Sequence, residues 1–346
     1  MESIINDLGF STNDKVVILH LDDLSISHSA NLAAKNIFSK TNFRTGSIIA
    51  NSSWVPEIAN ILLNFQALQE KTQEKSSKKT SQTAQTSQTA QTAQTAQTSQ
   101  TSQTSPERWD IGVHLTLNSE YPLYKWRPFA SNTPDSGLVD ANGFLWANLK
   151  ESVNHVSLEA AEQEFRAQIQ HLQKLGINLT HMDSHMFAPG HPKFLPVLIK
   201  LAVEFGIPAL IPKMTKQMFE YMDFKEDFNK YSSQLNLLQE AGYPLVDEIK
   251  FTSLQPVKNK LRAFKGLVKS IKPGLSHLIF HPAIYSDEMQ GIDPDMSIGR
   301  FQDYEVLVNP KFRDFLEKNN IILYTYRELG EYFRKIKDKL DWRQFF

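Results

Sequence analysis

The chain of 346 residues contains no cysteine. Disulfides, thiolate metal sites and a cysteine nucleophile are thereby excluded. An excess of one charge is also missing: 37 Lys and Arg stand against 38 Asp and Glu, a net charge of −1. With no basic run interleaved with aromatics, neither nucleic acid nor an anionic membrane surface is an expected partner. No apolar run approaches the roughly 20 residues of a membrane-spanning helix. The opening Met1-Glu2-Ser3-Ile4-Ile5-Asn6-Asp7 lacks a basic segment followed by an apolar one. No secretory leader is therefore expected, and the expected location is cytoplasmic. Glycine is sparse, at 14 residues. No glycine-rich phosphate loop follows the first apolar strand, which argues against a doubly wound nucleotide-binding sheet.

What is present divides into an ordered pattern and one tract apart from it. From Thr80 to Ser105 the chain repeats Thr-Ser/Ala-Gln with no charge and no large apolar residue. Such a tract buries too little surface to offset its ordering entropy. Residues 70–106 therefore read as a disordered insert within a single catalytic domain spanning 1–346. Loop closure cost grows slowly enough with length to tolerate it.

Elsewhere apolar strands alternate with amphipathic helices. Lys15–Leu21, Thr45–Ala50, Trp109–Leu117, Asn178–Met182, Ile207–Ile211, His277–His281 and Ile321–Tyr326 read as strands. Asn31–Phe38, a segment opening at Pro56, a long helix from Ser157 to Gly176, and Phe194–Phe205 read as helices. Ser157 suits an N-cap and Gly176 a C-terminal stop. This alternation predicts an α/β fold with about seven parallel strands in a barrel-like sheet, whose functional residues sit at strand C-terminal ends.

Polar residues do gather at those ends. Asp22 and Asp23 close the first strand, and His114 lies in the strand after the repeat. His181, Asp183 and His185 fall within Thr180-His181-Met182-Asp183-Ser184-His185, and His281 precedes Pro282. Strand alternation places His181, Asp183 and His185 on one face. Paired aspartates alone can simply cap a helix, and a lone strand histidine can be core. The same coincidence at four strand ends instead predicts a mononuclear metal site with one carboxylate, two imidazoles and open positions. The metal would activate water and polarise a carbonyl, a second carboxylate would take a proton, and a further histidine would return one. Trp126 and Arg127, in the long loop after the His114 strand, are candidate substrate contacts. Arg300, placed in a loop after the His281 strand, is a candidate for holding an anionic group or pairing with a catalytic aspartate. His20, His28, His155, His171 and His277 receive no role.

Leu21-Asp22-Asp23-Leu24-Ser25-Ile26-Ser27, Gly112-Val113-His114-Leu115-Thr116-Leu117, Thr180–His185 and Phe280-His281-Pro282 together resemble, in order, the motifs of the YdjC-like carbohydrate deacetylases, which include chitooligosaccharide deacetylases. The resemblance runs from about Lys15 to Tyr326. It implies a barrel-like fold related to the polysaccharide deacetylases and hydrolysis of an N-acetyl group on an amino sugar. It implies metal binding by Asp23, His114 and His185, with Asp22 as general base. His281 is implied as acid or substrate-orienting group, with His181 and Asp183 supporting the ligands. The implied cofactor is one divalent ion. Magnesium is common in the family, whereas two imidazoles and a carboxylate suit zinc, cobalt or nickel on ligand grounds. Two alternatives are a carbohydrate-binding protein on an inactive version of the fold and another barrel metal hydrolase acting on a cyclic or acyl amide. A homodimer is expected from the general frequency of such assemblies alone.

Overall fold

The computed structural model describes residues 3–65 and 109–346. The polar insert lies outside the described residues. Among the described residues seven strands form one sheet: β1 (Lys15–Leu24), β2 (Thr45–Ile48), β3 (Asp110–Leu115), β4 (Met182–Ser184), β5 (Glu248–Lys250), β6 (Gly274–Phe280) and β7 (Ile321–Leu323). Their order is β4-β3-β2-β1-β6-β5, with β7 beside β1. Every pairing among these strands is parallel. β6 runs along one edge of β1, so β7 and β2 share the other, at its beginning and its end respectively. Single parallel bridges, Met182 to Ala209 and Pro212 to Val246, carry the sheet from β4 back towards β5. The sheet thus curls into the expected barrel-like form.

The helices are α1 (His28–Lys40), α2 (55–65), α3 (Leu149–His155), α4 (Leu158–Lys174), α5 (Leu195–Phe205) and α6 (Lys216–Tyr221). They continue with α7 (Phe228–Glu240), α8 (Lys260–Ser270), α9 (Asp287–Ile292), α10 (Ser297–Val308), α11 (Pro310–Lys318) and α12 (Tyr326–Ile336). Ser157 caps α4 by accepting from the Ala160 N–H, and Gly176 follows it at φ +83°. Among the described residues no helix is long and apolar enough to cross a membrane.

Most strand ends shift by a few residues from expectation, and two expected strands change more. The strand read at Asn178–Met182 is Met182–Ser184, and Ile207–Ile211 contributes only isolated bridges. β5 had no legible signal, because Glu248-Ile249-Lys250 is three half-buried residues with one apolar side chain between two charges.

β1 explains how an apolar core and a polar site share one barrel. Val17, Leu19 and Leu21 join the large cluster packed under the helices. Val16 and Ile18 face the other way, with Leu210, Val246, Leu275 and Tyr326. His20 and Asp22 continue that second face by the two-residue period. The interior therefore has an apolar floor, a layer of imidazoles, and carboxylates above.

Candidate metal and catalytic centre

Asp22 and Asp23 are both inside β1, yet both serve one pocket. Adjacent strand residues ordinarily face apart. Asp23 escapes this by adopting φ +60°, where the β1–β2 register shifts between Leu21 and Leu24. Of six non-glycine residues with positive φ among those described, Asp23, Ser25, Met186 and Phe187 lie in the two segments flanking this pocket. Backbone strain is thus concentrated where side chains must be aimed.

Asp23, His114 and His185 converge. Asp23 Oδ1 lies 3.4 Å from His114 Nε2 and 3.3 Å from His185 Nδ1. These separations exceed ordinary N–H···O hydrogen bonds, and Asp23 Oδ1 is buried without a hydrogen-bond partner among the described residues. They match instead the roughly 3.4 Å edges of a tetrahedron with bonds of about 2.1 Å. The far nitrogen of each ring meets a carboxylate. His114 Nδ1 lies 2.9 Å from Asp183 Oδ1, and His185 Nε2 lies 3.0 Å from Glu120 Oε2. Carboxylates in that position fix the tautomer and strengthen a metal-ligating imidazole. Asp183 is itself held by the Ser47 hydroxyl at 2.8 Å. The donor set therefore fits a divalent cation, with Asp23, His114 and His185 able to hold it.

Charge in the pocket follows from these neighbours. Burial pushes the Asp23 carboxyl up, but Arg300 beside it prevails and holds it well below its ordinary value. Burial opposes protonation of His114, yet Asp183 overrides it and raises the imidazole well above the usual range. Burial likewise opposes His185, but Glu120 and Asp23 bring it to about 9. Both imidazoles are therefore protonated near neutrality in the metal-free protein and must deprotonate to ligate. Metal binding at pH 7 should release about two protons, read by calorimetry in buffers of differing ionisation enthalpy. Affinity should rise with pH up to about 9. Proton-neutral binding at pH 7 would show that these rings are not the ligands.

Asp22 lies next to this triad. Its Oδ1 is 2.6 Å from His20 Nδ1, and its Oδ2 faces His281 Nε2 at 3.9 Å. The His281 side chain is 20% exposed, the Asp22 side chain 9%. Burial holds the His281 imidazole below its ordinary pKa. Burial raises the Asp22 carboxyl, but the His20 bond outweighs this and keeps it low.

Residues 16–318 match the YdjC-like protein family. The chain belongs to that family. A carbohydrate deacetylase of Thermus thermophilus is 30% identical over 207 residues, covering 60% of this chain and 73% of the relative. A carbohydrate deacetylase of Thermoanaerobacter pseudethanolicus is 25% identical over 215 residues, 62% and 76% of the two chains. The fold is similar to a crystal structure from Enterococcus faecalis described as a cellobiose-phosphate cleavage protein. The TM-score is 0.62 at 19% identity, over 91% of this chain and 99% of the other.

Within this YdjC-like chain, the expected substrate contacts are engaged elsewhere. Trp126 is 2% exposed, packed edge-on against His185 and flanked by Tyr121 and Tyr124. It supports a candidate ligand and offers no open face for a sugar ring. Arg127 bonds the Gly143 carbonyl and covers the Phe144 ring within its own loop. Arg300 lies in α10, where a loop was expected. Its Nη1 donates to Asp23 Oδ2 at 2.9 Å, its Nε to Asp293 Oδ2 at 3.0 Å and its Nη2 to Tyr121 Oη at 2.9 Å. It pairs with an aspartate of the site, and its guanidinium is committed to these three protein partners.

Glu120 and His20 escaped the sequence reading. Glu120 stands in an irregular loop, where no periodicity marks it. His20 had a signal, since it lies two residues before Asp22 on the same strand face. In the Glu120→Gln variant, His185 keeps an acceptor but loses the anion. Metal affinity should then fall about 10- to 100-fold, measurable by competition with a chromophoric chelator. Unchanged affinity would separate Glu120 from the centre.

Proposed function

We propose that this YdjC-like protein is a metal-dependent hydrolase, working as one catalytic domain, that removes the acetyl group from an N-acetylated amino sugar or chitooligosaccharide and releases acetate. The observation that carries this reading is the buried, unpartnered Asp23 Oδ1 facing two imidazole nitrogens beside a second aspartate. The names of the relatives supply the substrate class. When bound by Asp23, His114 and His185, the cation would acidify water and polarise the acetyl carbonyl. A nitrogen-rich donor set at tetrahedral edges favours zinc or another late first-row ion over magnesium, which prefers octahedral oxygen.

The remaining steps belong to the side chains. Asp22 Oδ2, the oxygen not bonded to His20, takes the proton of the attacking water. His281 is held neutral by burial and so must first receive a proton before it acts as an acid. Asp22, 3.9 Å away, is positioned to supply it. His281 then protonates the leaving nitrogen as the C–N bond breaks, giving acetate and a free amine.

The test is acetate release from N-acetylglucosamine, diacetylchitobiose and longer oligomers by metal-stripped protein resupplied with zinc or magnesium. Release that depends on added metal supports the reading, and greater activity with zinc supports the donor-set argument. Stoichiometric metal binding without acetate from any sugar would remove the substrate assignment.

A further inference from the structure

Directly beneath Asp22 the barrel is filled by imidazoles. His20 Nδ1 lies 2.6 Å from Asp22 Oδ1, and His20 Nε2 lies 2.8 Å from His181 Nε2. His181 Nδ1 lies 2.9 Å from Thr180 Oγ1, which donates to the Ile111 carbonyl at 3.2 Å. His181 stacks on Tyr326 with ring centres 4.0 Å apart, and His277 lies 4.7 Å from His20. His20, His181, His277 and Tyr326 are all fully buried. Unlike the separations around Asp23, those at His20 are hydrogen-bond lengths. The contacts of His20 to Asp22 and His181 are therefore hydrogen bonds.

A carboxylate oxygen only accepts, so the His20 Nδ1 contact is an N–H donated to Asp22 Oδ1. One proton between the two facing Nε2 atoms closes the contact from His20 to His181. The Thr180 hydroxyl meets His181 at its other ring nitrogen. Asp22 Oδ1 is thereby occupied, and Oδ2 is the oxygen turned towards His281.

We propose that His20 is a positioning residue for Asp22, pinning one carboxylate oxygen so that the other meets the water, and that His181 in turn holds His20. The catalytic part of this proposal rests on the deacetylase reading; the pairing itself does not. His181 has its place because residue 112 is glycine. A Cβ at Gly112 would come 2.4 Å from His181 Nε2. The chain of support thus runs from Gly112 in β3, through His181 just before β4, to His20 in β1, and ends on Asp22.

Two variants of the full-length, metal-loaded protein test the role. His20→Leu removes the contacts to both Asp22 and His181. His20→Asn restores the donor to Asp22, because an Asn amide nitrogen occupies roughly the place of His Nδ1. The expected result is a roughly 100-fold lower kcat for His20→Leu, on the scale of general-base effects. KM and metal stoichiometry should stay unchanged, and His20→Asn should recover about tenfold of the loss. A merely structural role would lower the yield of folded protein equally in both and leave kcat per bound metal intact. Equal kcat in the two variants, or a loss confined to KM, overturns the proposal.

Proton NMR of the wild type, with histidine rings labelled, provides a readout that needs neither turnover nor a folded Leu variant. A far-downfield Nδ1–H resonance should move upfield in Asp22→Asn and vanish in His20→Asn. Its absence from the wild type overturns the pairing. Its presence in a protein that hydrolyses no N-acetylated sugar would retain the pairing and discard the deacetylase reading.

Discussion

His114→Ala should abolish stoichiometric metal binding and lower acetate release at least about 1,000-fold. The metal's contribution to a hydrolytic transition state is several kcal/mol, and each 1.36 kcal/mol is tenfold in rate. The position is demanding for a local reason. His114 Nε2 faces Asp23 while Nδ1 is committed to Asp183, so the ring bridges the candidate ligand and its support. Its removal takes away one donor and leaves Asp183 with one cationic neighbour fewer. Added imidazole tests whether the loss is of a ligand, since it can enter the vacated space. Calorimetry of metal binding beside the acetate assay checks both halves. A variant that binds metal at full stoichiometry and turns over at a tenth of wild type would place the ion elsewhere.

Arg300→Met should destabilise the metal-free protein by about 3–5 kcal/mol, the cost of breaking a buried ion pair from one side. Arg300 is 3% exposed and bridges Asp23, Asp293 and Tyr121. Its loss strands two carboxylates with little access to water. Added metal should recover part of the loss, because a bound cation supplies Asp23 with the missing charge and stabilises the folded state by mass action. The metal-induced rise in Tm should therefore be larger in the variant than in the wild type. Equal destabilisation with and without metal would assign Arg300 to holding α10 through Tyr121 and Asp293.

The acid limb of stability gives an independent check on the same pair. In the wild type Arg300 holds Asp23 well below its ordinary value of 3.8. A depressed carboxylate contributes stability that is present above its unfolded pKa and lost as pH falls through the folded one. Without Arg300 the folded pKa rises, so that contribution shrinks and acid unfolding should begin at higher pH.

The residues of the site were largely legible because they lie on or beside strand ends, His181 just before β4, Asp183 within it and His185 just after it. Alternation along a strand is a local property, so His181, Asp183 and His185 could be assigned one face before the structure was known. The structure brings all three into the same buried network. The same rule applied to β1 would have joined His20 to Asp22. The strand expected from the sequence stops at Leu21, short of Asp22, whereas β1 runs to Leu24.

Other features depended on the path of loops and on distant pairings. Glu120 reaches His185 across 65 residues of chain, and Arg300 reaches Asp23 across 277. Trp126, an aromatic in a long polar loop, has the same local sequence whether it stacks on a sugar or seals the flank of His185. Only the packing of Tyr121 and Tyr124 around it decides for burial.

By itself the sequence determined the parallel α/β architecture and the set of polar residues at the strand ends, because two-residue and helical periodicities are carried by neighbouring residues. Tertiary structure decided which oxygen of each aspartate is free. Asp23 Oδ1 is unpartnered because Arg300 takes Oδ2, and Asp22 Oδ2 faces the pocket because His20 takes Oδ1. The choice at Asp23 depends on its left-handed kink and on a helix that arrives nearly 280 residues later, and no local pattern encodes it.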